Sequence, residues 1–197
     1  MNAALVLQLT PANLGALRRH FLALPPEDLR LRFGRVLPEP SLLAYLDSID
    51  FERDAVFGVF DNDLELVGAV HLGLAEDTAE IGVSVLPGHR RQGIGTALFK
   101  RCAEFARNHS IGTLFMHCLA ENESVMRIAR RAGMDIVTAA GEAEAYLKLA
   151  PADATTVAGQ LLHERLALFD FALKSQFAAA RTIVQAVADA AKGGDKG

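Results

Sequence analysis

Two adjacent arginines, Arg90 and Arg91, stand directly before Gln92, Gly93, Ile94, Gly95 and Thr96 in the stretch "HRRQGIGT". The apolar positions that follow, Ile94, Ala97, Leu98, Cys102, Phe105 and Ala106, have helical spacing and predict a helix that begins at Gly93. A helix start leaves several N–H groups without partners and carries partial positive charge. Glycines let the backbone approach a ligand closely, and two arginines add neutralising charge. The chemistry these residues suit is the binding of a pyrophosphate. A plain strand-to-helix turn with solvated arginines would use the same residues, so both readings stand at this point. Two nucleotide motifs are excluded. Leu98 occupies the place of the third glycine of a dinucleotide fingerprint, and no Gly-Lys-Ser/Thr follows to make a P-loop.

The elements that must position this loop can be read outward from it. Before it, "AEIGVSV" alternates and predicts a strand, Glu80–Val85, joined by a hairpin to Leu66–Leu74 and, before that, to Ala55–Phe60. That antiparallel context is the wrong sheet for either nucleotide motif. Alternation puts Glu80, Gly82 and Ser84 on one face and Ile81, Val83 and Val85 on the other. After the loop helix come a strand at Ile111–Leu119, a helix opened by Asn122 and stopped at Gly133, and a closing hairpin, Met134–Val137 with Glu144–Leu149. The N-terminal part reads as a short strand around Leu5–Leu9, a helix over Ala12–Leu24 that buries Leu14, Leu17, Phe21 and Leu22, a second helix in "EDLRLRF", and a third over Ser41–Ser48. The expected fold class is α/β in the α+β sense: a mixed, mostly antiparallel sheet flanked by helices, over residues 1–150. Residues 151–197 form a C-terminal helical extension with the polar tail "KGGDKG". In it Leu162, Leu166, Phe169, Leu173, Phe177, Ala180, Val184 and Val187 recur at spacings of three and four. That stripe either docks on its own domain or pairs two chains as a homodimer.

Composition bounds the function classes. With 197 residues, 51% hydrophobic and 22% charged, the chain has the make-up of a globular domain. A net charge of −4 argues against nucleic acid as a partner, so any anion site is local. No apolar run approaches the roughly 18 residues of a membrane span, and no signal peptide is read at the N-terminus. Two cysteines, Cys102 and Cys118, suit small core residues in a reducing cytoplasm.

The loop "RRQGIG" resembles the Gln/Arg-x-x-Gly-x-Gly/Ala signature of the GNAT acyl-CoA N-acetyltransferases, with Arg90, Gly93 and Gly95 at its diagnostic positions. The preceding strand "AEIGVSV", the helix after the loop and the segment "NESVMRIARRAGM" extend the resemblance to roughly Leu5–Leu149, with Met134 where an aromatic usually follows the glycine. It implies acetyl-CoA as cosubstrate, without a metal. Its pyrophosphate would be held by the loop amides of Arg91–Thr96 and its pantetheine arm by the backbone of Val83, Ser84 and Val85, with Asn122 nearby. Asn122 also reads simply as a helix N-cap, and both roles can hold together.

The resemblance further implies transfer of acetyl to a primary amine, with Glu80 as the base, ten residues before Arg90. The carbonyl would be polarised by a backbone N–H near Val85. An exposed strand-end carboxylate is the plainer reading of Glu80. Many members carry a tyrosine acid at the place of Ala129, so no acid is assigned; His117 and Ser124 are local candidates. A catalytically idle CoA-binding sensor on the same fold is the alternative function. The stretch "LPPEDLRLRFGR" resembles a segment of the protein-lysine-acetylating members, with Pro25 replacing a serine. By that resemblance Arg30, Arg32 and Arg35 would lie near the acceptor wall, where they could bind an acidic acceptor; the favoured reading is a solvated helix face over inward Leu29, Leu31 and Phe33.

Overall fold

The computed structural model describes residues 4–193, with the side chains beyond 186 outside the description. Seven strands form one sheet in the order β1-β2-β3-β4-β5-β7-β6. The strands are β1 (Leu7–Gln8), β2 (Ala55–Phe60), β3 (Leu66–Ala75), β4 (Thr78–Val85), β5 (Thr113–Leu119), β6 (Asp135–Ala139) and β7 (Glu142–Lys148). Every neighbouring pair is antiparallel except β4 with β5, which run parallel. That exception follows from the helical crossover between them, since parallel neighbours cannot be joined by a hairpin.

Two apolar layers clothe the sheet. On one face, α4 (Ile94–Asn108) lays Ile94, Leu98, Phe99, Cys102, Phe105 and Ala106 against Phe57, Val70, Ile81 and Val83, and α5 (Glu123–Arg131) adds Ala129. Burying Leu98 completely contributes roughly 2 kcal/mol. On the other face, α1 (Leu14–Leu22) and α3 (Glu39–Asp47) close over Val56, Phe60, Leu66 and Ala69 through Leu17, Phe21, Leu42 and Leu46, and α2 (Pro26–Phe33) adds the partly buried Leu29 and Phe33. The sequence expectation for α1 is corrected at one position. Leu22 points to solvent, while His20 is buried in its stead. The helix termini follow their residues. Thr10 and Asn13 cap the first turn reciprocally, and Gly34 and Gly133 take the left-handed conformation that ends α2 and follows α5.

The C-terminal helix α6 (Ala154–Gly193) is unbroken and about 60 Å long at 1.5 Å per residue. It docks on its own domain, but not through the predicted stripe. Its docking face is largely polar. Gln160 accepts from the Asn108 side chain at 2.6 Å, and Glu164 pairs with Arg101 at 2.5 Å. His163 Nε2 lies 3.2 Å from the Val6 amide nitrogen, and Lys174 donates to the Phe60 carbonyl at 3.0 Å. Ala167 and Phe171 supply the apolar contacts. The predicted stripe faces water, with Leu162 62% and Phe169 68% exposed, and Leu166, Leu173, Phe177 and Val184 also open. Val187 and the end of the polar tail lie outside the described side chains. No helix among the described residues is long and apolar enough to cross a membrane.

Candidate active site

The loop and the two central strands make one cleft because β4 changes partners along its length. On the β3 side it pairs throughout, from Thr78 opposite Ala75 to Val85 opposite Gly68. On the β5 side pairing stops at Glu80 opposite Phe115. Beyond that point β5 pairs only with β7, out to Leu119 opposite Glu142. Ile81–Val85 and Met116–Leu119 therefore diverge, and the facing edge of β4 is left without a strand. A cleft of about 800 Å³ opens there. Its walls include Val83, Ser84 and Val85 from β4, the loop from Pro87 to Thr96, the start of α5, and Asp28, Leu31 and Arg32 from α2.

At the loop end, the first helical bond of α4 runs from Ala97 N–H to the Gly93 carbonyl at 2.9 Å. Among the described residues, no acceptor engages the N–H groups of Arg91 through Thr96. Gly93 has φ +86, a left-handed conformation that glycine adopts at little cost. Gly95 keeps the helix start close to α5, where a Cβ would approach the Ile128 Cδ1 methyl to 2.9 Å and make it shift. The loop arginines separate in role. Arg90 turns back, donating from Nε to the Val85 carbonyl at 3.0 Å and pairing with Asp28. Arg91 lines the cleft, as do Arg127 and Arg131 of α5, and none of these three has an ion-pair partner among the described residues. Free amides at a helix start beside unpaired guanidinium groups fit a pyrophosphate-bearing ligand.

Asn122 is 7% exposed and does two jobs. Its Oδ1 accepts from Val125 N–H at 3.2 Å as an N-cap, and its Nδ2 donates to the Leu31 carbonyl at 3.3 Å. Arg30 joins the same strap by pairing with Glu27 and with Glu121 at 2.7 Å each. Helix α2 is thus held across the cleft mouth at both ends. Gln92 lies beside the cleft rather than in its lining, its amide donating to the Gly88 carbonyl at 3.3 Å.

Behind Ser84, which lines the cleft, lie histidines and a tyrosine that the sequence did not single out. Ser84 lies 2.8 Å from His20 Nε2, and His20 Nδ1 lies 2.7 Å from the Leu66 carbonyl. A carbonyl can only accept, so Nδ1 carries the proton and the Ser84 hydroxyl donates to Nε2. Burial keeps this imidazole neutral, lowering its pKa to about 4, with the Leu66 hydrogen bond opposing. Next to it, the Tyr45 hydroxyl meets His71 Nδ1 at 2.8 Å, and His71 Nε2 meets Asp54 at 3.0 Å. Desolvation lowers the His71 pKa despite Asp54, and desolvation raises that of Tyr45. The consistent tautomer has Nε2–H donating to the carboxylate and the phenol donating to Nδ1.

Glu80 is exposed on the face shared with Gly82 and Ser84, outside the cleft lining, and its charge is felt by both Tyr45 and His71. Ala129 is fully buried and offers no hydroxyl. His117 is half-exposed with Glu142 3.9 Å away, off the cleft, whereas Ser124 lines it. Of the three arginines near α2, Arg32 departs from the solvated-face expectation by folding inward against Gly82, and only periodicity argued otherwise.

A mixed sheet split between two parallel central strands, with a helix start aimed into the split, defines an acyl-CoA-binding fold. A sequence profile of the Acetyltransferase (GNAT) family matches residues 25–134. The chain belongs to the GNAT acetyltransferase family, whose acyl donor is acetyl-CoA. Solved structures agree in fold. The GNAT domain of S. lividans PAT is 19% identical, covers 73% of this chain and 89% of its own, and superposes with a TM-score of 0.65. A phosphinothricin acetyltransferase from Sinorhizobium meliloti, in complex with AcCoA, is 13% identical over 78% and 95% of the two chains, with a TM-score of 0.62. A ribosomal-protein-alanine N-acetyltransferase from Brucella melitensis is 18% identical over 74% and 99%, with a TM-score of 0.58. No curated protein sequence matches the chain.

Proposed function

We propose that this protein is an acetyl-CoA-dependent N-acetyltransferase that modifies a primary amine, either of a small molecule or of a protein lysine. The observation that carries the reading is the split between β4 and β5, roofed by α2 and closed at one end by the free amides of Arg91–Thr96. Acetyl-CoA supplies an activated acyl carbon as a thioester. The amides and Arg91 would hold the pyrophosphate, and the unpaired edge of β4 at Val83–Val85 would take the pantetheine arm. A β4 N–H there would polarise the carbonyl.

The acceptor must be neutral to attack, and an amine of pKa about 10.4 is only about one part in a thousand neutral near pH 7.4. Glu80 is assigned as the base that takes the ammonium proton, directly or through water. The amine nitrogen then bonds to the acyl carbon and the carbon–sulfur bond breaks. The second proton lost from nitrogen ends on the thiolate, giving amide and free thiol. A thiol of pKa about 8.5 leaves without a protein acid, which fits the alanine at position 129. Both cysteines are buried and free, in keeping with a cytoplasmic setting.

Acetyl-CoA should raise the melting temperature, while NADH and ATP should not. Thiol release from an amine panel, compared between wild type and Glu80→Gln, tests the base: a loss of 10²-fold or more is expected. Binding without turnover on a broad panel would instead indicate a CoA sensor.

We further propose that residues 151–197 act as an extension that pairs two copies of the chain through the open face of α6. Its seam of Leu162, Leu166, Phe169, Leu173, Phe177 and Val184 is self-complementary, and two such seams supply on the order of the 1,200–2,000 Å² of a stable interface. Leu166→Glu with Phe169→Glu should halve the mass seen by light scattering without loss of fold. An unchanged mass refutes the pairing.

A further inference from the structure

The structure assigns the acceptor to one chemical class: we propose a free amino acid, whose carboxylate is read by Arg32. The assignment rests on the transferase reading and narrows it. Arg32 lies flat against β4, where a Cβ on Gly82 would collide with its guanidinium. Its Nε is enclosed without a hydrogen-bond partner. Nη2 makes one long contact, 3.5 Å, to the Tyr45 hydroxyl oxygen, and the Phe33 ring lies 5.0 Å from the guanidinium carbon.

No carboxylate pairs with Arg32 among the described residues, although carboxylates pair with Arg30 and Arg90 close by. Arg30 takes Glu27 and Glu121, and Arg90 takes Asp28. The nearby Asp54 carboxylate is committed to His71 and accepts from Leu74 N–H at 3.3 Å. A half-buried guanidinium on a ligand cleft, with its fork unspent, matches an incoming carboxylate, which accepts two parallel N–H bonds.

The surroundings fix what must accompany that carboxylate. Glu80 lies two residues along the same face of β4 from Gly82, about 7 Å at the rise of an extended strand. The Tyr45 phenol gives its proton to His71, so its oxygen meets Arg32 Nη2 as an acceptor. A carboxylate site and an ammonium site thus stand within one short ligand of each other. A simple alkylammonium would meet Arg32 as an unscreened like charge. An amino acid brings the compensating carboxylate and leaves its nitrogen toward Glu80. Gly82 is what gives this arrangement its floor.

The test uses the full chain and matched acceptors: phenylalanine, phenylalaninamide and phenethylamine, with glutamate, glutamine and lysine as further amino acids. Thiol release and, independently, calorimetric binding in the presence of CoA are recorded. The carboxylate-bearing members should bind and react at least about tenfold better than the amide and the plain amine, as expected for a charged hydrogen-bonded pair. Arg32→Gln should raise KM for the amino acids about tenfold or more, with a much smaller change in kcat and in the use of the amide, and acetyl-CoA should still raise the melting temperature of the variant. Arg32→Lys should restore part of the affinity. Gly82→Ala, which displaces only the tip of a flexible side chain, should copy the Arg32→Gln effect. Equal use of acid and amide, or equal losses for both in Arg32→Gln, overturns the assignment. So does the absence of amino-acid binding in calorimetry. Amino-acid binding that depends on Arg32 with no turnover would overturn the transferase reading and leave the carboxylate site standing.

Discussion

His20 makes folding stability depend on pH in a window that can be placed in advance. Folded, its imidazole is neutral, held to a pKa of about 4 chiefly by desolvation. Unfolded, it takes a proton below about 6.5. A histidine whose folded pKa is depressed contributes its stability above the unfolded pKa and loses it as pH falls toward the folded one. Each pH unit crossed in that window costs about 1.4 kcal/mol, so the loss is about 2 kcal/mol at pH 5 and roughly 3 kcal/mol by pH 4. The perturbation to compare is His20→Gln, whose amide can donate to the Leu66 carbonyl and accept from Ser84 without titrating. Urea unfolding at pH 7 and pH 5 should show wild type losing about 2 kcal/mol more than the variant over that interval. Equal losses would refute the buried neutral imidazole, and with it the direction assigned to the Ser84 hydrogen bond.

Two other substitutions have expected outcomes. Gly93→Ala places an L side chain at φ +86 with open space around it, so only backbone strain is added, about 1–2 kcal/mol. Scanning calorimetry should record a melting temperature lower by several degrees and a smaller rise with acetyl-CoA; an unaltered acetyl-CoA response would contradict the loop's role. Glu164→Gln removes the partner of Arg101, which is 2% exposed and already has Nε and Nη1 without hydrogen bonds. The cost should be roughly 3 kcal/mol by urea unfolding, the lower part of the range because Glu164 itself reaches solvent. A cost under about 1 kcal/mol would show that water or Phe57, 4.9 Å below the guanidinium, already stabilises Arg101.

Much of the sheet was legible because alternation and turn residues are local signals. The strands β2 to β5, the glycine loop and the helix behind it all stand close to where periodicity puts them. What escaped was decided by tertiary contact. Arg32 sits in an eight-residue helix whose charge pattern favours a solvated face over an acceptor-binding one, and the bare backbone at Gly82 lets it fold inward. His20 lies between Leu17 and Phe21 on a helical face, and its burial depends on Leu66 and Ser84, both distant in sequence. The stripe on α6 was visible, but periodicity marks residues that avoid water without saying against what. Its opposite, polar face found partners first. The divergence of β4 from β5 leaves no local trace, which is why the cleft had to be reached through the resemblance of its loop.

The placement of α6 also bears on how this protein would fail. A sheet of seven strands has two free edges where another chain can add by backbone pairing. At one of them β1 is only two residues long, and α6 lies along it, occupying the approach at Val6 through His163. Variants that loosen this helix should therefore lose soluble protein by strand addition between molecules before they lose their core. For this molecule the working measure of damage is the rate at which it aggregates, and the C-terminal helix is its guard.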